Sequence, residues 1–268
     1  YWQNYWTPHA GHYVYLYDTV SGSLIRRLGP LPQIVNIVQF SKDGQRLAVG
    51  MAGKYNGIRI WNAPFEDLTA WDMGYDNSVF GLDFSSAGTL AVASNDGFVR
   101  LYDAAYTLVQ KVPVPGGPLP RAVKFSPDGA VLAVAQLNST KIDFLGGKTL
   151  KATGKPDTSA FTNDYLFAIG WSGDGKTFFA SGRYTDKDWY YPLFAFTGTN
   201  IRTMLDKANG PKSGVGDIAM LPGDRIAFAS QDSSFGVFDQ SGVVVQPHRP
   251  IIADMRNKYG EYFWADPI

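Results

Sequence analysis

The chain has 268 residues, with 24 Lys plus Arg against 24 Asp plus Glu, so its formal net charge is zero. That balance weighs against nucleic acid as the main partner, since phosphate binding relies on a basic excess. It has no cysteine, which excludes disulfides, thiolate metal sites and a cysteine nucleophile within this chain. No apolar run approaches the length of a membrane span. The sequence opens Tyr1-Trp2-Gln3-Asn4 with no visible leader, and is expected to be part of a longer polypeptide. The compartment stays open, with the cytoplasm as the preferred expectation.

In chain order, residues 12–28 read as two strands, the first ending in Tyr17-Asp18 and the second running through the polar Ser23–Leu28. A phrase then begins to repeat: Phe40-Ser41-Lys42-Asp43-Gly44, Phe84-Ser85-Ser86-Ala87-Gly88, Phe125-Ser126-Pro127-Asp128-Gly129 and Trp171-Ser172-Gly173-Asp174-Gly175. It decays to Met220-Leu221-Pro222-Gly223-Asp224, and the steps from Phe40 onward are 44, 41, 46 and 49 residues. A period of about 40–50 residues with a turn at a fixed place is that of a propeller blade. A strand precedes each phrase. A second strand of small and branched apolar residues follows it (Leu47–Gly50, Leu90–Ser94, Leu132–Ala135, Phe178–Ser181, Ile226–Ser230), suited to burial on both faces. Third strands end in an aromatic and a polar residue, as in Trp61-Asn62, Tyr102-Asp103 and Phe238-Asp239. Fourth strands are polar, as outer edges should be.

The expected fold is therefore all-β: a β-propeller of four-stranded antiparallel blades in a single domain over 1–268. Five complete blades fall at about 33–72, 78–112, 120–152, 164–204 and 214–246. A composite or partial blade is expected from the two ends, with 250–266 as its first strand and Tyr1–Trp6 as its second, and six to seven blades in the parent. The recurring Phe40, Phe84, Phe125 and Trp171 are expected to be buried between blades.

The phrase, the following strand and the aromatic-Asp ending resemble the WD-repeat family of β-propellers. Gly11-His12 lies beside a third strand, not before a first one. The family's buried Asp-His-Ser/Thr-Trp hydrogen-bond chain is therefore not expected here. Trp171-Ser172-Gly173-Asp174-Gly175-Lys176 with Ser181-Gly182-Arg183 resembles the repeats of TolB-type propellers. The run from Tyr13 to Gly57 is similar to bacterial WD-repeat proteins associated with a caspase-like peptidase, whose catalytic part would lie outside this chain.

No residue pattern announces catalysis. His9, His12 and His248 are the only histidines and have no metal-ligand spacing. Ser41, Ser85, Ser126 and Ser172 recur before four of the five turns, which suits a capping hydroxyl better than a nucleophile. Asp43, Asp128 and Asp174 read as turn residues, not as a calcium or sialidase-like box. Gly53–Gly57 and Pro115–Pro118 lack the ending of a phosphate loop. Catalytic and metal residues are accordingly expected to be none, and cofactors none. The resemblance implies a non-enzymatic scaffold that presents loops to a protein or peptide, as a monomeric domain, and regulates a fused or associated effector. The alternatives are a hydrolase-type propeller with its reaction in a central channel and a TolB-like periplasmic module. The loops between second and third strands are the expected binding surface, through Tyr55, Asp96, Arg183, Tyr184 and Asp232. The aromatic segment Arg183–Tyr191 is the most unusual of them. The connections 152–164 and 205–214 are expected on the same face.

Overall fold

The repeated phrase builds one turn, four times over. Ser41 N donates to Arg46 O and Gly44 N to Ser41 O, while the Ser41 hydroxyl reaches Asp43 and accepts from Arg46 N. Asp43 accepts in turn from Gln45 N. Ser126, Asp128 and Gly129 repeat the arrangement, and so do Ser172, Asp174 and Gly175. Ser85 keeps the bonds to Thr89 without a carboxylate, since Ala87 stands where the aspartate would be. The glycines closing these turns have φ between 70° and 81°, the left-handed region that favours glycine. Each aspartate's pKa lies below the usual carboxylate value, first because the serine hydroxyl donates to it and then because a backbone amide does.

The computed structural model describes residues 11–159, 161, 165–183, 191–198, 200–203, 211, 213–223, 225–231, 235–242 and 244–248. Among them the regular structure is all strand, and no helix is long and apolar enough to cross a membrane. The fold is a β-propeller of five four-stranded antiparallel blades, each strand bonded to the next in sequence. Blade I comprises β3 (Val35–Phe40), β4 (Arg46–Met51), β5 (Ile58–Asn62) and β6 (Leu68–Asp72). Blade II comprises β7 (Val79–Phe84), β8 (Leu90–Ser94), β9 (Phe98–Tyr102) and β10 (Leu108–Pro113). Blade III comprises β11 (Pro120–Phe125), β12 (Val131–Gln136), β13 (Ile142–Gly146) and β14 (Ala152–Gly154). Blade IV comprises β15 (Leu166–Trp171), β16 (Phe178–Gly182), β17 (Phe194–Thr197) and β18 (Asn200–Thr203). Blade V comprises β19 (Val215–Leu221), β20 (Arg225–Ser230), β21 (Phe235–Asp239) and β22 (Val244–His248). Before them, β1 (His12–Tyr17) and β2 (Leu24–Leu31) form a two-stranded sheet, the expected third and fourth strands of a further blade. The stretches assigned to its other half, Tyr1–Trp6 and 250–266, lie outside the described residues.

The chain divides into two compact units, one of residues up to 114 with 118–123, the other of 115–117 with residues from 124 onward. In the first unit, Leu28, Leu31, Leu47, Val49, Met51 and Trp61 pack β1–β2 against blade I. Ile58, Ile60, Tyr75, Val79, Leu82, Phe84 and Tyr102 pack blade I against blade II. In the second unit, Phe144, Trp171, Phe178 and Phe196 stack between blades III and IV, with neighbouring ring centroids 5.0–6.1 Å apart. Val215, Ile218, Ile226, Phe228 and Phe238 continue the core into blade V.

Three expectations need correction. Phe84 and Phe125 are buried, but Phe40 is 44% exposed and packs edge-on to Phe65. Phe84 is covered by Ala48 of β4 and by Ile58 and Ile60 of β5, a cover that Phe40 lacks at the start of the first complete blade. Trp171 is half-buried, its indole N–H donating to Lys124 O at 3.2 Å. Second strands are buried on both faces in blades I to IV, but β20 buries mainly Ile226 and Phe228 and leaves Ala229 exposed.

Candidate functional site

The loops between second and third strands meet the loops that join one blade to the next. In the first unit, Tyr55 has φ 63° and is 63% exposed, with its amide donating to Tyr75 O at 2.8 Å. Gly53 N donates to Ser78 Oγ, and the Asn56 amide donates to Ala52 O and Lys54 O. Backbone and side chain thus tie the base of the loop down while its tip faces water. The Lys54 ammonium lies 4.6 Å over the Tyr55 ring and 3.2 Å from Asp76, and these neighbours, Tyr55 first, raise its pKa.

Asp96 stands differently from Tyr55. Its side chain is only 2% exposed, and it takes both arms of the Arg100 guanidinium, Nη1 at 3.1 Å and Nη2 at 2.6 Å. It also accepts from Phe98 N and, at 3.4 Å, from Asp76 N. Asp76, salt-bridged to Lys54, therefore links the loops of Tyr55 and Asp96. The ion pair leads into a buried chain. Arg100 stacks 4.0 Å over the Tyr75 ring and donates to Gly74 O. The Tyr75 and Tyr102 hydroxyls lie 2.8 Å apart, and Tyr102 donates to Asp72 at 2.6 Å. Burial first, and the neighbouring Asp72 carboxylate with it, keep both phenols protonated far above their usual range. Burial opposes the charge on Arg100, but the Asp96 bonds and Tyr75 outweigh it and raise its pKa. With no histidine in place, a Tyr-Tyr-Asp relay and an Asp-Arg pair do the joining.

In the second unit, Arg183 is exposed at the base of its loop, its amide donating to Tyr165 O. With the Gln231 amide turned to face it, Gln231 accepts from Arg183 Nε at 3.1 Å and Nη2 at 2.8 Å. The equivalent loops of blades IV and V are joined there. Tyr184, Asp232 and most of the aromatic segment lie outside the described residues. Among the described residues no group of three or more His, Cys, Asp or Glu side chains is placed to hold a metal.

Sequence reasoning missed Arg100, Tyr75 and the relay to Asp72. The available signal was Asp96 and Arg100 four apart across a tight turn, with the arginine inside an otherwise apolar strand. It also missed Arg59, Gln136 and Asp143. Arg59 and Asp143 each lie two residues before the closing residue of their third strand, as Arg100 does, by the pairings Leu47 with Trp61, Leu90 with Tyr102 and Leu132 with Leu145. Gln136 has both amide atoms buried without a hydrogen bond. Asp143 accepts from Gly116 N at 2.8 Å, and burial raises its pKa.

Residues 70–103, which hold every member of the Asp72-to-Arg100 chain, match the WD domain, G-beta repeat family. The small ribosomal subunit protein RACK1y of Oryza sativa subsp. japonica is 28% identical over 156 residues, 57% of this chain and 45% of that protein. The chain thus spans less than half the length of this curated relative. A chain in the crystal structure of a mitotic checkpoint complex is similar with a TM-score of 0.69 at 17% identity, covering 88% of this chain and 73% of the other. That likeness is one of fold. Together the repeat match and the shared fold support the WD-repeat class of β-propellers.

Proposed function

We propose that the chain is a non-enzymatic scaffold whose loops between second and third strands dock a protein or peptide. The observation that carries this is the contrast within one loop: an exposed Tyr55 and Lys54 on a base fixed by Tyr75, Ser78 and Asn56. An aromatic held ready on a fixed loop loses little conformational freedom on binding, which favours its use as an anchor. Arg183, held by Gln231, supplies a second such position, and Tyr184 and Asp232 complete the reading. Asp96 enters it as the residue that fixes the loop, not one that reaches the partner. The rice relative is by name a ribosomal subunit protein, and the solved structure is of a checkpoint complex, so both belong to assemblies. Regulation of a fused or associated effector is the finer part of the proposal.

The test is to isolate a partner by affinity capture and measure its binding to purified variants. Lys54→Ala with Tyr55→Ala should weaken binding about tenfold or more, the scale of a central anchor residue. Arg26→Ala with Arg27→Ala, on the outer strand β2, should leave it unchanged. The reverse pattern would move the surface to the blade rim.

A further inference from the structure

Arg59 and Arg100 are the buried arginines among the described residues. They hold the same place on β5 and β9, yet their surroundings differ. Arg100 is neutralised by Asp96. Arg59, 9% exposed, donates from Nη1 to Asn56 O and Ile58 O, both at 2.9 Å, and no described carboxylate lies within ion-pair distance of it. Burial without a counter-charge lowers its pKa, though an arginine stays protonated at any ordinary pH.

Space lies beside it. A half-open cavity of about 380 Å³ is walled by Leu28, Leu31, Arg59, Trp61, Glu66 and Leu68 among others. The cause can be read from register. Leu28 pairs with Val14 as Asp72 pairs with Ile58, so Leu28 and Leu31 stand where Asp72 and Tyr75 stand one interface later. There, an aspartate and a tyrosine ring fill the space beside Arg100 and Tyr102. Here two leucines leave it open, with a buried cation on its wall. The volume falls within the range of small-ligand sites, about 300–1,000 Å³.

We propose that this cavity binds a carboxylate on a short apolar stem, with the carboxylate on Arg59 and the stem against Leu28, Leu31 and Trp61. The chain contains its own precedent in the bidentate Asp96–Arg100 pair. Glu66, held by Arg26 at 3.2 Å, and Asp67 place negative charge on the same walls. They oppose a phosphate chain or nucleic acid strand and direct a single negative charge to the Arg59 end. The carboxylate has two sources, a peptide C-terminus or a free branched-chain acid. The site is distinct from the loop surface and does not rest on that reading.

The experiment titrates the whole chain by calorimetry with 4-methylpentanoate and its amide, and with an acetylated tripeptide ending in leucine and its amide. In the parent, one acid at least should bind about tenfold or more tighter than its amide, the scale of a charge-assisted bond. Arg59→Met should bring that ratio to about one. Leu31→Tyr, which restores the ring found in the next interface, should abolish binding with an unchanged circular dichroism spectrum. A tighter tripeptide identifies a peptide terminus as the source, and a tighter free acid a small molecule. Equal affinity for acid and amide in the parent, no saturable binding of either acid, or an acid preference surviving Arg59→Met would each overturn the proposal. If Arg59→Met does not fold, the parent's acid-to-amide ratio and Leu31→Tyr decide it.

Discussion

Two neighbouring interfaces of the first unit share a backbone and differ in chemistry. Between blades I and II, Asp72, Tyr75, Asp96, Arg100 and Tyr102 form a polar chain with all three charged groups and both hydroxyls partnered. Between β1–β2 and blade I, the equivalent positions hold Leu28, Leu31, Arg59 and Trp61, and a cavity remains. A repeat conserves strand register, but each interface must satisfy its polar groups from its own residues. Where Asp and Tyr become Leu, the arginine they would have accompanied keeps its place and loses its company.

The largest expected effects fall on the filled interface. Asp96→Ala leaves Arg100 buried without its counter-charge and should cost about 3–5 kcal/mol in urea unfolding, the cost of breaking a buried pair from one side. Tyr55→Ala, on the equivalent loop of blade I, should stay within about 0.5 kcal/mol. Similar values for the two would erase the distinction. Phe84→Ala should likewise cost about 3–5 kcal/mol by opening the core, with Phe40→Ala well below it because Phe40 is already half in water. Tyr102→Phe deprives Asp72 Oδ2 of its hydroxyl donor and should cost about 1–3 kcal/mol.

The smallest effect concerns Asp143, which occupies on β13 the place that arginine holds on β5 and β9. Its folded pKa is raised by burial, so the folded state holds the proton more tightly than the unfolded one. Stability therefore falls as pH rises from the ordinary carboxylate pKa through the raised one, and the penalty is complete above it. Asp143→Asn should be more stable than the parent at neutral pH, with the advantage vanishing in acid. Melting curves across that range would check it. An advantage that grows on acidification would reverse the sign of the burial argument.

The blades were legible because their signals are local. Phe84-Ser85 and the glycine three residues on announce a turn, and 78–112 was the expected span of a sheet that runs from Val79 to Pro113. The polar chain was not legible, because Tyr102 lies 27 residues from Tyr75 and 30 from Asp72 and meets them only when two sheets pack. From its turn position alone, Asp96 reads as a surface residue. The one sign to the contrary is Arg100, four residues on, inside an otherwise apolar strand. The cavity is harder still, being the absence of a ring and a carboxylate that only a neighbouring interface reveals.

The outer strands have a consequence for what else can join the sheets. Each blade ends on a strand whose far side offers unpaired backbone groups, a template for a strand from another chain. β14 is three residues long, β10 carries Lys111 and finishes on Pro113, and β18 carries Arg202 among exposed neighbours. A proline gives no donor to an incoming ladder, and a three-residue edge gives too little length to hold one. An added strand finds little purchase on these three rims, so blades II, III and IV discourage edge-to-edge polymerisation through the ends of their own sheets.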